Sequence, residues 1–203
     1  MTGDAPDVVA LQEVTPWALR RLEGWSGMTA VSVATKRGVL GPLARVIHMF
    51  DPVHVRSGLT GQANAVLLNP RFRLAERARS VVLNPDSPLE RRICQVLRIE
   101  ADSGRFTVAN FHATAHETEL ARHDITRVTE LVDDEHAWVV CGDFNVSGGA
   151  MPGFSQPIEG LDQILVRGLE LERPPARWPQ ERRRVDGRLL SDHAPVEAVV
   201  AST

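Results

Sequence analysis

Three observations predict an α/β domain built mainly from strands. Short apolar runs, most of them bounded by Gly, Pro or Asn, recur along the whole chain, which is the punctuation of β-structure. Helical periodicity is sustained in one long segment, residues 117–133, where Ala121, Ile125, Val128 and Val132 fall on one face with charges around the rest of the wheel. The 203 residues are 43% hydrophobic, enough to bury roughly 70% of the unfolded surface around one core. No internal repeat and no long linker divides them, so a single domain over residues 1–203 is expected.

The elements follow in chain order. Residues 7–13 read as a strand, apolar until it closes on Gln12 and Glu13, which puts Glu13 at a strand end. Thr15 and Pro16 read as an N-cap followed by proline at the first helical position. Trp17, Leu19, Leu22 and Trp25 then make a short helix ending near Gly24. Strands are expected at 28–35, 44–49, 63–68, 72–76, 79–84 and 92–100. Ala101, Asp102, Ser103 and Gly104 form a turn signal, so 92–100 and 105–112 should pair as a hairpin whose second strand delivers Asn110 and His112. The helix at 117–133 leads into a buried strand, 137–141, that stops at Gly142, Asp143, Phe144 and Asn145. A loop rich in Gly and Pro, 147–160, precedes a strand at 161–166. A polar segment holding Arg177, Arg182, Arg183 and Arg184 connects it to the last strand, 194–200.

Composition narrows the function. A net charge of -3 and a pI near 6.2 give no global attraction to nucleic acid, so a polyanion would have to meet local basic clusters. Cys94 and Cys141 both lie inside apolar runs, which argues for buried thiols and a reducing compartment rather than a disulfide framework. No segment approaches the roughly 20 apolar residues of a membrane span. Residues 1–6 lack the basic and apolar regions of a signal peptide. The expectation is a cytoplasmic monomer.

Chemistry enters through polar groups that recur just past buried strands: Gln12 and Glu13, Asn110 and His112, Asp143 and Asn145, Asp162, and the run Ser191, Asp192, His193. Such groups are poor core material, and gathered at strand ends they would form a site on a rigid scaffold. A phosphoester repels nucleophiles through its charged oxygens, so a hard divalent cation with oxygen ligands is needed to neutralise charge and stabilise the leaving oxygen. Glu13 and Asp192 are the candidate ligands. His193 can accept a proton from water if a carboxylate fixes its tautomer, and Asp162 is the candidate partner. The amides of Asn110 and Asn145 can hydrogen-bond phosphate oxygens without adding charge. His112 could supply a proton or a hydrogen bond.

Each fragment also has a plainer reading. Glu13 could be a solvated residue opening a helix. Asp143 and Asn145 could form a turn with their own backbone, and Asp192 could cap another before Pro195. His112 and His116 have the spacing of a zinc pair on a helix, but His112 ends a strand, which argues against zinc. Asn64, His48 and His54 are candidates for either the site or the surface. The run Arg182 to Arg184 is a solvated loop or a phosphate-backbone contact, and Trp178 beside it packs or stacks on a base.

Taken in order, Gln12-Glu13, Asn110-x-His112, Gly142-Asp143-x-Asn145, Asp162 and Ser191-Asp192-His193 resemble the endonuclease/exonuclease/phosphatase superfamily over nearly the whole chain. The closing Ser-Asp-His-x-Pro-Val fragment is the most specific. The resemblance implies a DNase I-like four-layer sandwich, two packed, mainly antiparallel sheets with helices on the outer faces. It implies Mg²⁺, with Mn²⁺ able to substitute, and hydrolysis of phosphodiesters or phosphomonoesters. Glu13 would bind metal with Asp192 beside it, Asp143 would hold the attacking water, and Asn145 would contact phosphate. His193 would pair with Asp162, and Asn110 and His112 would line the phosphate pocket.

One departure stands out. Members of the family usually open with a strand carrying a metal-binding Asn well before the glutamate, and here only residues 1–6 precede the first strand. A start placed downstream of the native one, a replacement strand from elsewhere, or a weakened enzyme would each account for it, and the first is the expectation. The function expected is a divalent-metal-dependent phosphodiesterase or nuclease. A phosphatase acting on a lipid, inositol or other small phosphate ester is the alternative within the class, and a non-catalytic binding module that lost part of its metal site is the alternative outside it.

Overall fold

The structure, a computed structural model, describes residues 4–37, 61–85, 91–189 and 191–201. Strands β1 (Val8–Val14), β2 (Thr29–Arg37) and β3 (Gly61–Leu68) form an antiparallel sheet in the order β1-β3-β2. A six-stranded sheet joins β4 (Arg73–Leu74), β5 (Arg79–Val82), β6 (Ile93–Ala101), β7 (Gly104–His112), β8 (Ala137–Asp143) and β9 (Asp162–Arg167). Within it β7 and β8 are parallel and every other pair is antiparallel. Helix α1 (Pro16–Ser26) lies on the small sheet, and α2 (Thr118–Thr129) forms the crossover between β7 and β8.

The period of two along each strand builds the layers. Val66 and Leu68 of β3 meet Leu97 and Ile99 of β6, Val108 of β7 and Cys141 of β8, which closes one sheet on the other. The alternate residues face outward. Val9 and Leu67, with Leu11 and Leu22, seat α1. Val96, Ala109, Phe111, Trp138 and Val140 seat Ala121, Ile125 and Val128 of α2. Each fully buried Leu, Ile or Phe in these layers stabilises the fold by about 1.5–3 kcal/mol. The result is the four-layer sandwich, helix on sheet on sheet on helix.

Several expectations need correction. Helix α1 runs through Gly24 and closes at Gly27, whose N–H donates to Glu23 O at 2.8 Å. The segment read as a polar connection contains β10 (Glu170–Arg177), a short 3₁₀ turn at Gln180–Arg183, and a small hairpin of β11 (Arg184–Val185) and β12 (Arg188–Leu189). Strand β10 pairs antiparallel with β13 (Val196–Ala201), and this pair lies beside β9. Its Glu, Arg and Pro residues disguise it because they are largely solvent-facing. Strand 72–76 shrinks to β4, and helix 117–133 is trimmed at both ends. The expected strand at 44–49, with His48 and His54, lies outside the described residues. Among the described residues no strand precedes β1, and no helix is long and apolar enough to cross a membrane.

Candidate active site

Strand register assembles the centre of the site. In the parallel β7–β8 ladder His112 stands opposite Asp143, and in the antiparallel β8–β9 ladder Asp143 stands opposite Asp162. One row across three adjacent strands therefore carries an imidazole and two carboxylates. This convergence needs Gly142, which adopts φ 137° and whose hypothetical Cβ would lie 1.9 Å from Phe111 O. Any side chain there would push β8 away from β7.

His193 arrives from the loop before β13. Its Nδ1 sits 3.1 and 3.0 Å from the two carboxylate oxygens of Asp162 and 3.9 Å from Asp143 Oδ2. The Asp162 hydrogen bond, reinforced by the charges of Asp143 and Asp192, raises its pKa to about 9. His112 is held differently. Its Nε2 is 3.5 Å from Asp143 Oδ2 and its Nδ1 is 3.9 Å from Glu13 Oε1, too far for strong hydrogen bonds. Burial dominates, with the nearby charges of Arg92 and His193 adding to it, and pushes His112 down to about 3. Burial also raises the Asp143 carboxyl.

Glu13 sits on an irregularity in β1, where the register with β3 shifts between Leu11 and Val14, and it adopts φ 55°. A non-glycine residue there costs about 1 kcal/mol or more and re-aims its side chain. The exposed carboxylate is turned toward His112 and a cleft lined by Thr35, Gln62, Asn64, Arg91, Arg92 and Ile93. Asn145 also has positive φ, 50°. Its backbone N–H donates to Asp143 Oδ1 at 2.9 Å, and its Nδ2 donates to Ala113 O at 2.9 Å. That leaves Oδ1 of Asn145 and one amide hydrogen for a ligand.

Asn110 lies elsewhere than expected. It is completely buried between the sheets, where Nδ2 donates to Leu11 O and Ala65 O at 3.2 Å and Oδ1 accepts from Gln12 Nε2 at 2.7 Å. Its carboxamide is spent on holding the two sheets in register and has no group left for a phosphate. Asn64 is likewise buried and donates to Ile93 O, while Gln95 donates to Val31 O. Asp192 is exposed and accepts from the backbone N–H of His193 at 3.2 Å. Arg92, a buried arginine lining the cleft beside His112, went unread in the sequence because it opens an apolar strand like many solvated arginines do.

Oxygen donors of this kind suit a hard divalent cation. Among the described residues, Asp143, Asp162 and His193 bring one ligand atom each within 4.8 Å of one another. In this arrangement His193 Nδ1 faces the Asp162 carboxylate at 3.0 and 3.1 Å, and the two carboxylates supply the oxygen donors of the cluster. The exposed carboxylate of Glu13, 3.9 Å from His112 Nδ1, is a further oxygen donor of the kind such a cation takes.

A model of the Endonuclease/Exonuclease/phosphatase family matches residues 2–193. No curated protein sequence matches the chain. Among solved structures, a conserved protein of Enterococcus faecalis V583 superposes with a TM-score of 0.75 at 19% identity, covering 100% of this chain and 88% of that one. A humanized D. rerio TDP2 gives 0.71 at 15% identity, covering 98% and 86%. The Bacteroides thetaiotaomicron mannosyl-6-phosphatase Bt3783 gives 0.64 at 17% identity, covering 96% and 85%.

Proposed function

We propose that this chain, which belongs to the endonuclease/exonuclease/phosphatase family and is thereby a phosphoester hydrolase by class, cleaves phosphodiester bonds with Mg²⁺, for which Mn²⁺ can substitute, as a phosphodiesterase or nuclease. The observation that carries this reading is the bond between His193 and Asp162 beside Asp143. When bound, the cation would supply charge neutralisation at the phosphate and at the leaving oxygen. Glu13 would hold it, with Asp192 nearby.

The chain's own groups account for the rest. Asp143 positions the attacking water. Asp162 fixes the His193 ring through Nδ1, and in the neutral form of the ring, a fraction that grows as pH rises toward its pKa of about 9, Nε2 takes the proton of that water as the new P–O bond forms and the ester P–O bond breaks opposite it. Asn145 donates a hydrogen bond to a non-bridging phosphate oxygen. His112, neutral because it is buried, contributes a hydrogen bond and not a proton.

Hydrolysis of bis(p-nitrophenyl) phosphate, compared with the monoester in Mg²⁺, Mn²⁺ or EDTA, tests the reading. Metal-dependent diester cleavage that disappears in His193→Ala is the expected result. A monoester preference would replace the diesterase with a phosphatase of small esters. Absence of cleavage with every metal would leave a binding module.

A further inference from the structure

Both halves of the His193–Asp162 pair are fastened to one place, the end of strand β10. Arg177 extends its guanidinium to the carbonyl of Glu159, three residues before Asp162. The next residue, Trp178, donates its backbone N–H to Pro195 O at 2.9 Å, two residues after His193. Arg177 is also the last β10 residue paired with β13, opposite Val196. The two loops that must bring imidazole and carboxylate together thus share an anchor.

The Arg177 contact is shaped as well as bonded. Gly160 has φ 103°, and a Cβ built on it would fall 1.2 Å from Arg177 Nη2. Only glycine leaves room for the guanidinium there. From beneath, the Gln163 side chain ties Ile158 and Gly160, and Leu161 O accepts from Phe144 N–H at 2.9 Å. Trp178 is braced in turn, its Nε1 donating to Glu197 at 2.9 Å while the Arg182 guanidinium lies 3.7 Å above its ring.

We propose that Arg177, received by Gly160, is a positioning residue that sets the distance between Asp162 and His193; this rests on the catalytic reading of that pair. Exposed arginine contacts add little to stability, so the effect belongs in turnover and in the hydrogen bond itself. The test combines kinetics on bis(p-nitrophenyl) phosphate with the imidazole N–H proton resonance of His193, identified by its loss in His193→Ala and recorded in EDTA.

Arg177→Ala should lower kcat by about tenfold with KM little changed, and should weaken or abolish the His193 N–H signal without moving the unfolding midpoint. Gly160→Ala should give the same losses of kcat and of the N–H signal, together with a lowered unfolding midpoint because alanine is strained at φ 103°, and in kcat the double variant should be no worse than the worse single one. Arg122→Ala, on the outer face of α2, should change nothing. Wild-type kcat and an unchanged N–H signal in Arg177→Ala would overturn the proposal, as would strictly additive losses. The resonance needs no turnover, so a chain that hydrolyses nothing would sink the catalytic reading while still reporting on the clamp.

Discussion

His112 and His193 face the same carboxylate oxygen, Oδ2 of Asp143, at 3.5 and 3.9 Å, yet they are driven to opposite ends of the titration range. His193 donates a close hydrogen bond to the Asp162 carboxylate and rises to about 9. His112 is buried at distances too long for compensation and falls to about 3.

Stability without metal should therefore peak near neutral pH. His193 has a folded pKa above its ordinary 6.5, so its contribution is complete below 6.5 and is lost as pH rises through about 9. His112 has a folded pKa below 6.5. The unfolded chain takes up the proton first, and stability falls as pH drops from 6.5 toward 3, by on the order of a few kcal/mol. Unfolding midpoints from pH 4 to 10 in EDTA check this. His112→Gln should flatten the acid limb and His193→Gln the alkaline one; limbs identical to wild type would contradict the assignment.

Removing the imidazole of His193 should lower kcat by about 10²–10⁴-fold. Asp162→Asn should cost less, since it acts through the orientation of His193. Steady-state rates of the two variants, with folding checked by circular dichroism, decide between this order and its reverse.

Glu13→Gln should weaken Mn²⁺ binding by tenfold or more, because a neutral amide replaces a charged oxygen donor. Calorimetric titration measures this directly. Unchanged affinity would move the cation to the Asp143 and Asp162 carboxylates.

Asn110→Ala should act on the fold and not on substrate binding. It removes the acceptor of Gln12 Nε2 and the amide donor that the carbonyls of Leu11 and Ala65 share, at a cost of about 1–3 kcal/mol in urea unfolding. A raised KM with unchanged stability would return Asn110 to the phosphate pocket.

Gly142→Ala should be among the most damaging single changes, at about 3 kcal/mol or more, because the added methyl meets the Phe111 carbonyl in a backbone conformation that alanine resists. Thermal unfolding reads it.

The hairpin of β6 and β7, the crossover helix α2 and the strand ends at His112, Asp143 and Asp162 were legible because each depends on local signals: alternation, a helical stripe, a turn between two runs. Strand β10 was not, because Glu170, Glu172, Arg173, Pro174 and Pro175 carry no apolar alternation; its pairing with β13 comes from a partner distant in sequence. The Asp186-Gly187 turn of β11 and β12 was a readable hairpin signal that the surrounding arginines masked.

The sequence by itself determined the family, the strand-rich sandwich and the identity of the chemical groups, since each rests on residue type and spacing along the chain. Only the tertiary structure decided which groups meet. It drew Asn110 into the core between the sheets and spread His112 and His193 to opposite pKa values. It also put Arg177 of a hidden strand against the loop of Asp162. Contacts of that kind depend on strand register, burial and distance in space, which arise only when segments far apart in the chain are packed together.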